Sequence, residues 1–66
     1  MKVRDAIRLI ERDGWRRVRT RGSHRIYKHP VKRGITIIAG HPGTDVPPGT
    51  WNEIMKQAQL DTGANR

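Results

Sequence analysis

The stretch Trp15-Arg16-Arg17-Val18-Arg19-Thr20-Arg21-Gly22-Ser23-His24-Arg25-Ile26-Tyr27-Lys28-His29 decides the fold of this chain. Its residues alternate with the two-residue period of extended backbone. Arg16, Val18 and Thr20 fall on one face, and Trp15, Arg17 and Arg19 on the other. Arg21-Gly22-Ser23 supplies the short, glycine-bearing connection expected of a hairpin. From His24 the alternation resumes, with His24, Ile26 and Lys28 on one face and Arg25, Tyr27 and His29 on the other. Pro30 then removes a backbone donor and ends the pairing.

The flanking segments complete the architecture. Upstream, Val3, Ala6, Ile7 and Ile10 form the apolar stripe of a half-buried helix over Lys2 to Asp13, and Leu9 widens it. Gly14 ends that helix. Downstream, Val31 to Gly34 is a charged turn, and Ile35-Thr36-Ile37-Ile38 is a β-branched run that predicts a third strand. The proline- and glycine-rich segment Gly40 to Gly49 reads as a loop. A second helix is expected from Thr50, where Thr50 and Glu53 have the spacing of a capping box. Its apolar stripe is Trp51, Ile54, Met55 and Ala58. The expected fold is α+β, in the order α-β-β-β-α, with a three-stranded antiparallel sheet and both helices on one face. Residues 1–60 form one domain, and 61–66 are expected to be a flexible C-terminal tail.

Composition narrows the function. A chain of 66 residues carries a net charge of +8 and no cysteine. So small a domain buries only about 60% of its unfolded surface. It has room for a thin core and no deep substrate cavity. Without cysteine there is no disulfide framework or zinc knuckle. No apolar run reaches the length of a membrane span, and no apolar signal core follows Met1. A soluble, cytoplasmic protein is expected. Lysine and arginine crowd between Arg12 and Arg33 and are missing from Gly34 to Glu53, so the charge belongs to the hairpin. That concentration points to a polyanion, and nucleic acid fits better than a membrane.

His24 is the candidate catalytic residue. Imidazole moves a proton near neutral pH, and His24 follows a glycine turn among arginines. Metal-free RNA cleavage needs a base for the ribose 2′-hydroxyl, charge stabilisation of the phosphorane, and an acid for the leaving 5′-oxygen. His24 suits the first role. Arg17, Arg19, Arg21, Arg25 and Lys28, with the backbone at Gly22 and Ser23, suit the second. The acid stays open among His41, Tyr27 and water. Tyr27 is also the aromatic expected to face RNA, whereas Trp15 and Trp51 read as core. His29 reads as an ordinary exposed loop residue. No metal and no cofactor is expected, because the six acidic residues show no spacing suited to a shared ion. The reading of another class is a non-catalytic RNA-binding module with the same basic face.

The motifs Asp13-Gly14-Trp15, Gly22-Ser23-His24, Lys28-His29-Pro30, Pro48-Gly49-Thr50 and Ile54-Met55-Lys56-Gln57-Ala58 together resemble the HicA toxins of HicA–HicB toxin–antitoxin systems. The resemblance runs from about Lys2 to Leu60. It implies a fold like the double-stranded-RNA-binding domain, an mRNA interferase activity, a catalytic histidine at His24, and a HicB-like antitoxin as partner. Charge then predicts an acidic contact surface on that antitoxin. The chain departs from the family at Ala39-Gly40, where a proline often stands nearby before the histidine matching His41, and at Gln59, where a glycine often ends the helix. Without that glycine the second helix is expected to reach Asp61.

Overall fold

The computed structural model describes residues 1–60. Helix α1 spans Val3–Arg12, strands β1, β2 and β3 span Arg16–Arg21, His24–Lys28 and Thr36–Ala39, and helix α2 spans Pro48–Ala58. The strands form an antiparallel sheet in the order β1-β2-β3, so β2 is central. The α-β-β-β-α order and α+β class are those expected from the sequence. The expected tail lies outside the described residues.

A single core explains why both helices share one side of the sheet. Val3, Ala6 and Ile10 of α1, Ile54 and Ala58 of α2, Tyr27 of β2, Ile38 of β3, and Trp15 and Val46 from the connections are buried together. Tyr27 lies opposite Thr36, and the alternation puts Ile38 on the same face. Side chains at successive strand positions point to opposite faces, so this one face meets both helices. The other face of the sheet is open.

Both helix starts differ in detail from the sequence reading. The first N–H groups of α1 have no partner within the helix, and the 41–46 loop supplies two. Val3 N–H donates to Thr44 O at 2.9 Å and Arg4 N–H to Pro42 O at 3.1 Å. The Asp5 carboxylate accepts from Lys2 N–H at 3.2 Å. Helix α2 begins at Pro48 rather than Thr50, with Pro47 as its N-cap. Proline has its φ already set for a first helical position and lacks the N–H that would go unpaired there. Thr50 is therefore already inside the helix, and the Thr50–Glu53 capping box does not form. At the other end, α2 stops at Ala58 and does not reach Asp61. Gln59 takes the left-handed conformation that glycine usually fills, with φ +54°. Its side-chain amide donates to Arg33 O at 2.7 Å, which fixes the residue in place. Leu9, expected to widen the apolar stripe of α1, is exposed.

The end of the sheet at Trp15 and His29 is tightly bonded. The Trp15 indole N–H donates to Ala58 O at 3.1 Å, which ties the hairpin to the last turn of α2. His29 is not an ordinary exposed residue. Its side chain is only 9% exposed and meets Trp15 edge to face, with centroids 5.3 Å apart. His29 Nδ1 accepts from Val31 and Lys32 N–H, both at 3.0 Å. With Nδ1 accepting, Nε2 carries the proton and donates to Asp13 O at 2.7 Å. Lys32 bridges the Asp13 carboxylate and the Gln59 carbonyl. The motifs Asp13-Gly14-Trp15 and His29-Pro30 are thus structural, and they lie at the end of the sheet remote from His24.

Candidate nucleic-acid interface and catalytic histidine

Strand β1 closes on β2 through a two-residue turn. Arg21 pairs with His24, leaving Gly22 and Ser23 at the tip. Gly22 has φ +60°. A glycine in that conformation at the first central position is the pattern of the type II′ turn, whose twist matches paired strands. A Cβ added at Gly22 would meet nothing within 4 Å. The backbone beside His24 is therefore open to a ligand.

His24 begins the central strand and is exposed. It has Arg21 on one side and Ala39 on the other. Directly paired residues hold their Cβ atoms about 4.5–5.5 Å apart on the same face, so Arg21 is the immediate cationic neighbour of the imidazole. Ala39 is small and leaves the other flank of the ring uncovered.

The alternation read from the sequence fails within β1. Arg17 pairs with Tyr27 and Arg19 with Ile26, so Val18 is an extra residue, a β-bulge. The bulge moves each residue before it to the opposite face from the one simple alternation assigns. Arg16 pairs with Lys28, Arg19 with Ile26 and Arg21 with His24. The open face therefore carries Arg16, Arg19, Arg21, His24 and Lys28 around a half-buried apolar strip, Ile26 paired with Ile37. No strand residue is acidic.

Three expected RNA-binding residues do not join this face. Tyr27 is 1% exposed and belongs to the core. Burial and nearby Glu11 raise its pKa above the ordinary tyrosine value, partly offset by Arg17 and Arg25. Tyr27 therefore neither stacks on RNA nor serves as the acid beside His24. Its alternation with His24 dictates this, because three steps along one strand reverse the face. Arg25 lies on the helix side, where its guanidinium donates to Gly40 O at 2.7 Å. Arg17 also lies on the helix side, although β1 is exposed along its whole length.

His41 is held at the His24 end of the sheet. Gly40 N–H donates to Ser23 O at 3.2 Å, and His41 O accepts from Thr44 N–H at 3.0 Å. Val46 N–H donates to Met1 O at 2.7 Å, and Lys2 Nζ lies 2.9 Å from an Asp45 carboxylate oxygen. The loop is therefore pinned to the start of α1 and fixes His41 just beyond the end of β3. That pairing draws Asp45 below its ordinary carboxylate value. An open, largely apolar groove of about 440 Å³ lies behind Ser23, lined by Val3, Ile38, Val46, Pro47 and Ile54 among others.

Among the described residues, no group of three His, Cys, Asp or Glu side chains could hold a metal ion. No described helix is long and apolar enough to cross a membrane. The sequence model of the family described as "HicA toxin of bacterial toxin-antitoxin" matches residues 3–60. No curated protein matches the chain.

Proposed function

The chain belongs to the HicA toxin family, and we propose that it is a metal-independent endoribonuclease that cleaves mRNA with His24 as its acid–base residue. The observation that carries this reading is the placement of His24. It is exposed at a glycine turn, paired with Arg21, on a sheet face that bears cations and no acid. His24 takes the proton from a ribose 2′-hydroxyl. The 2′-oxygen then bonds to the adjacent phosphorus, and the bond from phosphorus to the 5′-oxygen breaks. A 2′,3′-cyclic phosphate and a 5′-hydroxyl end result. Arg21 and Arg19, aided by the exposed backbone at Gly22 and Ser23, hold the charge that grows on the phosphoryl oxygens. With Tyr27 buried, the proton for the leaving oxygen comes from His41 or from water.

General acid–base help contributes about 10²–10⁴-fold, and charge stabilisation a similar factor. One histidine and a few arginines therefore make a slow nuclease. The partner that restrains it is a HicB-like antitoxin. An acidic contact surface on that antitoxin would suit the cationic face and cover His24.

The test compares wild type with His24→Ala on a long RNA. The variant is expected to lose cleavage and cellular toxicity, with stability within about 0.5 kcal/mol of wild type, as for surface changes. Cleavage at the wild-type rate refutes the assignment. Tight RNA binding by a wild type that never cleaves would instead identify a non-catalytic RNA-binding module.

A further inference from the structure

We propose that the substrate is a single RNA strand laid along the open face of the sheet, on the β1–β2 ladder, and that Arg16 anchors its far end. The inference rests on the RNA-cleaving reading above and adds the path, the strandedness and a binding residue.

The bulge at Val18 is the decisive feature. In a regular strand Arg16 would share a face with Thr20, on the helix side. The extra residue brings Arg16 to the open face, opposite Lys28. One cationic pair, Arg16 and Lys28, then marks one end of the ladder. Arg21 and His24 mark the other, and Arg19 lies between them. From Lys28 to His24 the central strand rises four residues, about 13 Å. A strand stacked as in a DNA duplex advances about 3.4 Å per nucleotide, so the ladder spans about four such steps.

Between the two ends lies the Ile26–Ile37 pair, half-buried and apolar. It offers base faces a flat floor without hydrogen-bonding groups. Neither Tyr27 nor Trp15 lies on this face, since both are buried. The face therefore holds the backbone strongly and reads bases weakly. Affinity should come from phosphates and fall steeply with salt.

The other arginine row does not serve this chemistry. Arg4, Arg8 and Arg12 recur every four residues on α1 and are all exposed. However, α1 packs on the opposite side of the sheet from His24. A strand held there cannot present its 2′-hydroxyl to the imidazole. A duplex is disfavoured for a separate reason. The attacking 2′-oxygen must line up opposite the leaving 5′-oxygen, which the regular A-form backbone does not permit.

The test uses the His24→Ala protein, so that bound RNA stays intact. Fluorescence anisotropy with a labelled 12-nucleotide RNA lacking self-complementarity gives affinity across a salt series. Four contacts predict a log–log slope near −2.8, at about 0.7 per phosphate. Arg16→Gln in this background should flatten the slope by about 0.7 and weaken binding several-fold, while Arg8→Gln should change neither. The same RNA annealed to its complement should bind more weakly. Circular dichroism confirms that each variant is folded. The proposal is overturned if Arg8→Gln acts as strongly as Arg16→Gln, or if the duplex binds better than the strand. It is also overturned if Arg16→Gln spares RNA affinity and weakens only antitoxin binding. Failure of the His24→Ala protein to bind RNA at low salt would overturn the RNA-cleaving reading itself, a result distinct from binding through the wrong residues.

Discussion

Replacing three glycines by alanine, one at a time, should separate the strain built into this fold from the room around it. Gly14 has φ +108°, and a Cβ there would stand 2.7 Å from His29 Nε2. Backbone held in so sparsely populated a region costs about 1–3 kcal/mol in a residue other than glycine. The imidazole would also have to move. It would then lose its bond to Asp13 O and the two it accepts from Val31 and Lys32 N–H. Each is worth about 0.5–1.5 kcal/mol net. The combined loss is about 2.5–7.5 kcal/mol, against a total stability of about 3–9 kcal/mol for a domain this size. Gly14→Ala should therefore populate the unfolded state heavily. Gly22 has φ +60° with nothing within 4 Å of its added Cβ, so only backbone strain of about 1–2 kcal/mol applies. Gly49 lies in the first turn of α2 with open space around it. Alanine there should stabilise by about 0.4–1 kcal/mol, because it limits the unfolded chain. Urea unfolding followed by circular dichroism reads all three. With a slope of about 1 kcal/mol per molar for a small protein, Gly22→Ala should lower the midpoint by about 1–2 M and Gly49→Ala should raise it. If Gly14→Ala costs no more than Gly22→Ala, the contact with His29 is not what holds that end of the sheet.

Three further outcomes are expected. RNA cleavage should persist in excess chelator, because Asp5, Asp13 and Asp45 are each engaged by Lys2 or Lys32 and no strand residue is acidic; loss of activity that magnesium restores would contradict this. Burial raises the Tyr27 pKa above its ordinary value of 10.0, so the unfolded chain releases that proton first as pH rises. Stability should then fall above about pH 10 and be fully present below it, and Tyr27→Phe should lessen that fall; an unchanged alkaline profile would count against the buried hydroxyl as its source. Mixing with the antitoxin should abolish RNA binding as well as cleavage and protect the hairpin amides from hydrogen exchange. A complex that binds RNA with unchanged affinity would show that occlusion is the wrong mechanism.

The element order was legible because each element carried a local signal. The period of Val3, Ala6, Ile7 and Ile10, the glycine at the hairpin tip and the β-branched run before Ala39 each depend on nearby residues alone. What sequence could not show was set by contacts between distant segments. The bulge at Val18 reconciles Trp15 in the core with Arg19 and Arg21 on the open face, a compromise that strict alternation does not contain. Alternation already separated Tyr27 from His24, but which of the two faces the helices cover was not legible. The pairing of Tyr27 with Thr36 puts it under the helices. His29 looked ordinary because Asp13 and Trp15, which bond and cover its ring, meet it only in the fold. At the site, His24 was legible from its turn and its arginines. Which arginines accompany it was not, since that depends on the bulge.

The two ends of the sheet divide the work of the molecule. At the Trp15–His29 end, an indole, an imidazole and Lys32 bind the hairpin to α1 and to the last turn of α2. At the other end Arg21, Gly22, Ser23 and His24 are all exposed. The backbone bond from Gly40 to Ser23 and the Arg25 contact with Gly40 O hold this end to β3. A chain of 66 residues has too thin a core to bury a deep cleft; it exposes His24 at one end of the central strand and anchors the sheet at the other. Exposure of His24 then costs little stability, because its side chain takes no part in the buried core. The same exposure leaves the histidine and its cations open to any partner with a matching surface. On the proposed reading, an inhibitor needs only to cover that face, without a conformational change in the toxin, to block both substrate binding and proton transfer.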